Sequence, residues 1–314
     1  MPGGRRRDTR RRRSRCARHG GAVIRRVEIA AGTVTLADER AVRASARRAP
    51  RPLVLLHGFT GSHASWAAVP TALRPARRVI AIDLPGHGAT VVGDAAFDWS
   101  LGAAADLVAA TLAALRVDAA DVLGYSMGGR VALALALAHP ARVGRLVLES
   151  ASAGLASAAA RARRRAADAA LAAAIERDGV AAFVRRWERL PLFRSLACQP
   201  GPVRAALRRQ RLACDAAGLA ASLRGMGLGA QPWLGARIGA LPMPVLLLTG
   251  ERDAKFTRIA AGLLPRFADA THEIVAGAGH LPHLEQTARF LRVVRDFLAG
   301  GARRREPLPR GEEA

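Results

Sequence analysis

Short apolar runs recur along the chain and are separated by longer stretches with helical spacing. The apolar runs are Leu53–Leu56, Val79–Ile82, Val122–Leu123, Leu146–Leu148, Val245–Leu248 and Glu273–Val275. Upstream of them, Ala22–Leu36 alternates polar and apolar residues around Ala31-Gly32, which predicts a β-hairpin. Strands that alternate with helices require right-handed crossovers, so the pattern predicts an α/β fold with a mostly parallel, doubly wound sheet.

The alternation stops between about residues 152 and 241. This region is rich in alanine and arginine with helical spacing, as in Arg161–Ile175, Val180–Arg189 and Val203–Leu212. A helical insertion between two strands of an open α/β sheet lies over the carboxyl ends of the strands, where ligands bind. We therefore predict a core formed by residues 22–151 and 242–300, with residues 152–241 as an inserted helical cap that shapes the pocket.

The formal charge of +24 invites a nucleic-acid-binding interpretation. However, Lys255 is the only lysine beside 48 arginines, a bias typical of GC-rich coding sequence. The charge is also concentrated, because residues 1–21 contain nine arginines and one aspartate. Such a block is typical of a disordered tail. We expect a disordered basic tail over 1–21, a flexible tail over 301–314 and no specific nucleic-acid partner; a transit peptide or an early start codon would also fit the basic segment.

The remaining composition indicates a soluble protein. No apolar run approaches the roughly 20 residues that span a bilayer, so we predict no membrane span. The three cysteines, Cys16, Cys198 and Cys214, are odd in number and lack metal-ligand spacing. A reduced, cytoplasmic protein without a metal site is therefore expected. The sequence does not indicate an oligomeric state.

The strongest local motif is Gly124-Tyr125-Ser126-Met127-Gly128-Gly129. It follows one apolar run and precedes the helical run Arg130–Ala138, which is the strand–turn–helix context of a nucleophile elbow. A tight turn projects the Ser126 hydroxyl, and a side chain at position 124 or 128 would clash with neighbouring backbone. The following helix directs its N-terminal dipole and free N–H groups to the same point. Ser126 is therefore the predicted nucleophile.

A serine hydroxyl needs a histidine held by a carboxylate before it can act as a nucleophile or base. The expected order along the chain is serine, acid, histidine. Asp253 follows the apolar run Val245–Thr249, at the carboxyl end of a predicted strand, and His280 follows the last predicted strand. Glu251 is the competing acid. We predict a catalytic triad of Ser126, His280 and Asp253.

A second loop supplies candidate donors for an oxyanion. His57-Gly58-Phe59 follows the first apolar run, and the backbone N–H groups of Phe59 and Met127 would form the oxyanion hole. We expect His57 to brace this loop without taking part in catalysis. The segment Asp83–Gly88 is interpreted as a turn that stabilises the fold.

Together these motifs resemble the α/β-hydrolase superfamily over roughly residues 50–300, which implies the α/β-hydrolase fold but not the reaction. More specific strings resemble the 2-succinyl-6-hydroxy-2,4-cyclohexadiene-1-carboxylate synthase family of menaquinone biosynthesis. The strings are GYSMGGR (124–130), ESASAGL (149–155), WERLPLF (187–193), SLRGMGLGAQP (222–232) and GERDAKF (250–256). Several lie in the cap, which usually diverges fastest between hydrolase families. The sequence departs from the family at Ala153, where proline is common, and in its basic N-terminal segment.

The resemblance implies a carbon–oxygen lyase that eliminates pyruvate from a succinyl-cyclohexene precursor without a cofactor. Ser126, deprotonated through His280, would remove the ring proton that starts the elimination. The substrate is a polycarboxylate, and arginine pairs with carboxylates through two parallel hydrogen bonds. Arg130 lies one helical turn beyond Ser126 and is expected near it. By similarity, the other substrate-binding residues would be Tyr125, Arg164, Trp187 and Arg208.

Three other functions remain open from the sequence alone. An esterase or carbon–carbon bond hydrolase of apolar substrates would use the same triad but would need no group of cations in its pocket. A non-catalytic ligand receptor on the same scaffold would have no need of Asp253 and His280. Nucleic-acid binding through residues 1–21 would show a steep salt dependence.

Overall fold

The computed structural model describes residues 18–19, 22–40, 50–73, 77–93 and 97–300. Most of the predicted basic tail and all of the segment 301–314 lie outside these residues. Within the tail, Arg18–His19 forms a two-residue strand that pairs with the start of the first hairpin.

The described strands form one ten-stranded sheet. Their bounds are β1 Arg18–His19, β2 Ala22–Ile29, β3 Gly32–Glu39, β4 Leu53–Leu56, β5 Val79–Ile82, β6 Val91–Val92, β7 Ala120–Tyr125, β8 Val143–Glu149, β9 Val245–Gly250 and β10 Ala270–Val275. The spatial order is β1-β2-β3-β5-β4-β7-β8-β9-β10, and β6 pairs with β3 beside this path. The hairpin strands are antiparallel to their neighbours, whereas β5, β4, β7, β8, β9 and β10 run parallel.

Helices connect the parallel strands. Their bounds are α1 Ala68–Leu73, α2 Leu101–Ala114, α3 Met127–Ala138, α4 Ala158–Trp187, α5 Gly201–Leu212, α6 Ala216–Met226, α7 Ala254–Leu263, α8 Pro282–Glu285 and α9 Thr287–Leu298. Helix α4 is interrupted at Gly179, which has a φ of 78°. A 3-10 segment, Pro191–Cys198, follows α4. None of the helices in the described residues is long and apolar enough to cross a bilayer.

The central strands are buried on both faces, which explains why they are continuous apolar runs instead of alternating ones. On β4, Val54 and Leu56 belong to the core cluster that includes buried residues of α2 and α3. Leu53 and Leu55 belong to the cluster on the other face, with residues of α1 and α9. Successive side chains of a strand point to opposite faces, so four residues serve two cores.

The predicted structural turn after β5 braces the loop that follows β4. The Asp83 carboxylate accepts hydrogen bonds from the backbone N–H groups of His63 (2.5 Å) and Ala89 (3.0 Å). His57 Nε2 accepts the Leu84 N–H at 3.0 Å. Burial lowers the pKa of His57 and lowers that of His87 to about 3, so both imidazoles are neutral near pH 7. These contacts fit the expected structural roles of this loop and turn.

Helices α4, α5 and α6 lie between β8 and β9 in the chain, in the predicted cap region. The interruption at Gly179 separates the two helical patterns that the sequence predicts there. Helix α6 was not among the predicted helices, because its alanine and glycine content gives a weak pattern. It nevertheless packs Leu219, Ala220 and Leu223 in one buried cluster with Ile175 and Phe183 of α4.

Candidate active site

Ser126 lies between β7 and α3 in a strained backbone conformation, with φ 51° and ψ −108°. A Cβ atom at Gly124 would come within 2.3 Å of the Gly128 carbonyl oxygen, and one at Gly128 within 2.1 Å of the Leu56 carbonyl oxygen. Only glycine fits at either position. The turn therefore has the strained strand–turn–helix geometry of a nucleophile elbow.

His280 and Asp253 meet in the interior. His280 Nδ1 lies 2.6 Å from Asp253 Oδ2, and both side chains are buried. An ionised carboxylate can only accept, so Nδ1 carries the proton and Nε2 is the nitrogen that can receive one. The other Asp253 oxygen accepts the Phe256 N–H at 3.2 Å and caps α7. These two bonds fix the orientation of the carboxylate.

Glu251, the competing acid, has a different partner. Its side chain is exposed and accepts the Gly277 N–H at 2.8 Å. It makes no hydrogen bond to an imidazole among the described residues. The geometry therefore favours Asp253 as the acid beside His280.

Ser126, Asp253 and His280 line one cavity of about 800 Å³. Among the described contacts, no hydrogen bond joins the Ser126 hydroxyl to His280. Catalytic hydrogen bonds of this kind often tighten only when the substrate is bound.

Phe59 and Met127 also line this cavity. Met127 is the first residue of α3, so its N–H has no acceptor within the helix. The Gly61 N–H donates to the Gly58 carbonyl at 3.0 Å and closes the turn around Phe59. Both residues thus lie on the wall of the cavity that contains Ser126, and their amides remain the predicted oxyanion donors.

Aromatic rings surround the imidazole. The Phe256 ring centroid lies 4.6 Å from that of His280, the Tyr125 centroid 5.4 Å and the Phe193 centroid 6.1 Å. Trp187 lies 5.6 Å from Phe193 and lines the same cavity. Tyr125 and Trp187 are therefore where the resemblance placed them.

Arg130 lines the cavity and is held by the last part of the cap. Its Nη1 donates to the Met226 carbonyl at 2.6 Å and to Gln231 Oε1 at 2.8 Å. Burial, with a smaller contribution from nearby Arg164, lowers the pKa of Arg130 to about 10. The guanidinium is still cationic near pH 7. It is a fixed positive charge in the cavity that contains Ser126.

Arg164 reaches the same cavity from α4. Its Nε donates to Asp168 Oδ1 at 2.7 Å, one helical turn further along. Asp168 is buried and also accepts the Gly229 N–H at 3.3 Å. The carboxylate orients Arg164 through Nε, and no other side-chain hydrogen bond of this guanidinium is seen among the described residues.

Comparison with known proteins identifies the family. The model of the alpha/beta hydrolase family matches residues 53–293. A 2-succinyl-6-hydroxy-2,4-cyclohexadiene-1-carboxylate synthase of Salmonella schwarzengrund is 36% identical over 239 residues, 75% of this chain and 89% of that protein. A Bacillus subtilis (strain 168) protein provisionally given the same name is 39% identical over 271 residues, 85% of this chain and 98% of that protein. The chain belongs to this synthase family.

Solved structures agree with this assignment. MenH from S. aureus has a TM-score of 0.80 and 31% identity, with 84% of this chain and 98% of that one covered. An esterase from Thermogutta terrifontis, solved with malate bound, has a TM-score of 0.74 and 27% identity over 89% of this chain and 98% of that one. The predicted α/β-hydrolase fold is confirmed.

The prediction for Arg208 requires a correction. Arg208 does not line the cavity that contains Ser126. Its side chain is exposed on α5 and pairs with Glu188. Arg211 of the same helix points inward. Its guanidinium carbon lies 4.8 Å from the centre of the Phe193 ring, and its side chain is buried. Arg211 does not line the cavity that contains Ser126 either, so none of the arginines of α5 lines it.

Three more cations line the synthase cavity and were not predicted: Arg194, Arg252 and Lys255. Arg252 and Lys255 flank Asp253 and Ala254 at the carboxyl end of β9. The signal was present in the sequence, because residues next to a triad acid at a strand end face the ligand side of the sheet.

Proposed function

We propose that the chain eliminates pyruvate from 2-succinyl-5-enolpyruvyl-6-hydroxy-3-cyclohexene-1-carboxylate in menaquinone biosynthesis. The product would be 2-succinyl-6-hydroxy-2,4-cyclohexadiene-1-carboxylate, the compound for which its relatives are named. One observation of the cavity carries the proposal. Among the residues that the structure describes, five cationic side chains and a single carboxylate, that of Asp253, line the cavity that contains Ser126 and His280.

The charge of this cavity matches the substrate. The precursor carries three carboxylates: one on the ring, one on the succinyl group and one on the enolpyruvyl group. Fixed guanidinium and ammonium groups bind carboxylates with charge-assisted hydrogen bonds. An apolar ester would leave these cations without partners, at a cost in desolvation. We propose that Arg130 and Arg164 bind one end of the substrate and that the cap over 152–241 shapes the pocket around it.

The triad would start the reaction by removing a proton. His280 takes the Ser126 proton on Nε2, and the Ser126 oxygen takes the proton from ring carbon 2, which is acidified by the adjacent succinyl ketone. The electron pair forms the bond between carbons 2 and 3, and the ring double bond moves to carbons 4 and 5. The bond between carbon 5 and oxygen breaks, and the enolate that leaves becomes pyruvate when it is protonated. The N–H groups of Phe59 and Met127 would stabilise charge on the ketone oxygen.

The deciding experiment measures pyruvate release. Purified protein is mixed with the succinyl-cyclohexene precursor, and pyruvate is followed by a coupled lactate dehydrogenase assay. We expect kcat/KM of roughly 10⁴ M⁻¹s⁻¹ or more, the usual range for an enzyme with its own substrate. The control is p-nitrophenyl acetate under the same conditions. Rapid ester hydrolysis without pyruvate release would contradict the proposal.

An esterase is the second candidate function, because an esterase has the same fold at 27% identity. Its chemistry would use the same triad and oxyanion hole. The group of five cations weighs against it. A cytoplasmic location stays a prediction from the sequence.

Lys255 provides a test of the charge argument. Its ammonium lies at the cavity wall, 5.5 Å from the centre of the Phe256 ring. We expect Lys255→Met to raise KM for the precursor about tenfold, with a smaller effect on kcat, because a charged hydrogen bond to a carboxylate is lost. Steady-state kinetics at low and high salt measure this.

The matched control for Lys255 is Arg258→Met on the same helix. Arg258 is exposed and does not line the cavity. Its substitution should leave KM within about twofold of the unsubstituted enzyme, as expected for a surface charge. Equal KM changes in both variants would show that net charge alone, and no specific contact of Lys255, affects binding.

A further inference from the structure

Glu149 connects parts of the active site that the triad itself does not join. It is the last residue of β8 and lies beside Tyr125 in the parallel register of β7 and β8. Its carbonyl oxygen accepts the Ser126 N–H at 2.8 Å. The backbone of Glu149 therefore holds the nucleophile elbow.

The side chain of the same residue holds the loop that carries the imidazole. Glu149 Oε1 accepts the backbone N–H of His283 at 2.9 Å and lies 2.8 Å from His283 Nδ1. An ionised carboxylate only accepts hydrogen bonds, so His283 Nδ1 carries a proton and donates it. His283 is three residues beyond His280. One glutamate thus contacts both the elbow and the histidine loop.

The histidine loop is fixed from its other side as well. The Glu285 carboxylate accepts the Gly279 N–H at 2.9 Å and the Leu281 N–H at 3.0 Å, on either side of His280. The Tyr125 ring packs against both imidazoles, with its centroid 5.4 Å from that of His280 and 5.0 Å from that of His283. Movement of His283 would therefore be transmitted to His280 through the short loop and through the packed ring.

This arrangement costs stability. Glu149 has no exposed surface, and its Oε2 has no hydrogen-bond partner among the described residues. The neighbouring Ser150 hydroxyl also lacks a partner there, and Ser150 has a φ of 47°, unusual for a residue with a side chain. A buried carboxylate with an unpaired oxygen is costly, and an apolar side chain would be cheaper to bury. Such a group in the core calls for a reason other than stability.

We propose that Glu149 and His283 are positioning residues that set the distance between the Ser126 hydroxyl and the His280 imidazole. This inference rests on the proposed roles of Ser126 and His280. The carbonyl of Glu149 fixes one partner, and its carboxylate fixes the other through His283. A displacement of about 1 Å between reacting groups can lower a rate about 100-fold.

Paired substitutions separate positioning from simple packing. Glu149→Ala removes the acceptor, whereas Glu149→Gln keeps an oxygen that accepts both His283 N–H groups. We expect kcat to fall about 50-fold in the alanine variant and less than about fivefold in the glutamine variant, with KM within about threefold in both, since the change affects alignment and leaves the cations in place.

A second pair tests the other partner. His283→Leu fills the space without a donor, whereas the side-chain N–H of His283→Asn can replace Nδ1–H. The leucine variant should lose about tenfold in kcat, and the asparagine variant should recover most of that loss. Glu176→Ala is the control, because this exposed carboxylate pairs with Arg224 on the cap surface. Thermal melting and circular dichroism establish that each variant is folded.

Labelling of Ser126 gives a readout that needs no substrate. Its rate of reaction with phenylmethanesulfonyl fluoride, followed by intact mass, depends on the alignment of Ser126 and His280. If the unsubstituted protein is labelled but releases no pyruvate, the proposed function fails, and the labelling rates of the variants still test the positioning.

We expect slow labelling in Glu149→Ala and His283→Leu, and labelling rates near that of the unsubstituted protein in Glu149→Gln and His283→Asn. If Glu149→Ala does not fold, the leucine and asparagine variants at position 283 carry the test. Folded Glu149→Ala or His283→Leu with kcat and labelling within about threefold of the unsubstituted enzyme would overturn the inference. So would equal losses in Glu149→Ala and Glu149→Gln, because both hydrogen bonds can form in the latter.

Discussion

Replacement of Ser126 by alanine is expected to lower kcat for pyruvate release by at least about 10⁴-fold while the precursor still binds. The substitution removes the oxygen that would take the ring proton. Arg130 and Arg164 remain in place, since their anchoring contacts to the cap do not involve Ser126. Turnover is measured by the coupled pyruvate assay, and binding by isothermal titration calorimetry.

Ser152→Ala is the matched control for this prediction. Ser152 also lines the cavity, and its hydroxyl accepts the Gly154 N–H at 3.4 Å. This long hydrogen bond contributes little, so kcat should change less than about fivefold. Should Ser126→Ala retain a tenth of the activity, a different group must remove the proton.

Substitution of Asp253 by asparagine should lower kcat about 10³- to 10⁴-fold with little change in fold. An asparagine amide can donate to His280 Nδ1. The imidazole then carries its proton on Nε2, and Nε2 cannot accept a proton from Ser126. The helix cap survives, because an asparagine oxygen can still accept the Phe256 N–H. The loss would therefore come from the imidazole tautomer, and kcat in the pyruvate assay measures it.

Glu251→Gln tests whether the loss is specific to the predicted acid. Glu251 lies two residues before Asp253 and is exposed, and its carboxylate accepts a hydrogen bond from the Gly277 N–H. Glutamine can accept the same hydrogen bond, so kcat should stay within about twofold. A large loss in Glu251→Gln together with a small loss in Asp253→Asn would reverse the assignment of the acid.

The hydrophobic pattern predicted the parallel part of the sheet closely. The runs Leu53–Leu56 and Val79–Ile82 are the strands β4 and β5, residue for residue. Central strands buried on both faces are apolar runs, which made these two strands visible in the sequence. The predicted run Val122–Leu123 covers only the middle of β7, because Asp121 and Gly124 interrupt the apolar pattern. The cap was harder to predict, because α6 is composed largely of small residues with a weak helical pattern.

The elbow was predictable because its motif is a short contiguous segment, although one of its steric constraints comes from β4. A side chain at Gly124 would clash with the backbone of Gly128, and one at Gly128 would clash with the backbone of Leu56. The predicted serine lies midway between these two glycines. The sequence favoured Asp253 over Glu251 although both lie in one short loop, and the structure adds the hydrogen bond from Asp253 to His280 that Glu251 lacks.

By itself the sequence determined the α/β order and the elbow, because these depend on spacing along the chain and on backbone sterics. Its resemblance to known motif strings indicated the synthase family. Only the tertiary structure decided which cations share the cavity: Arg130, Arg164 and Lys255 do, whereas Arg208 does not. An arginine or lysine side chain is long and flexible, so its position is set by through-space partners such as Gln231, Asp168 and Glu188. Those partners lie on separate segments, and folding brings them together.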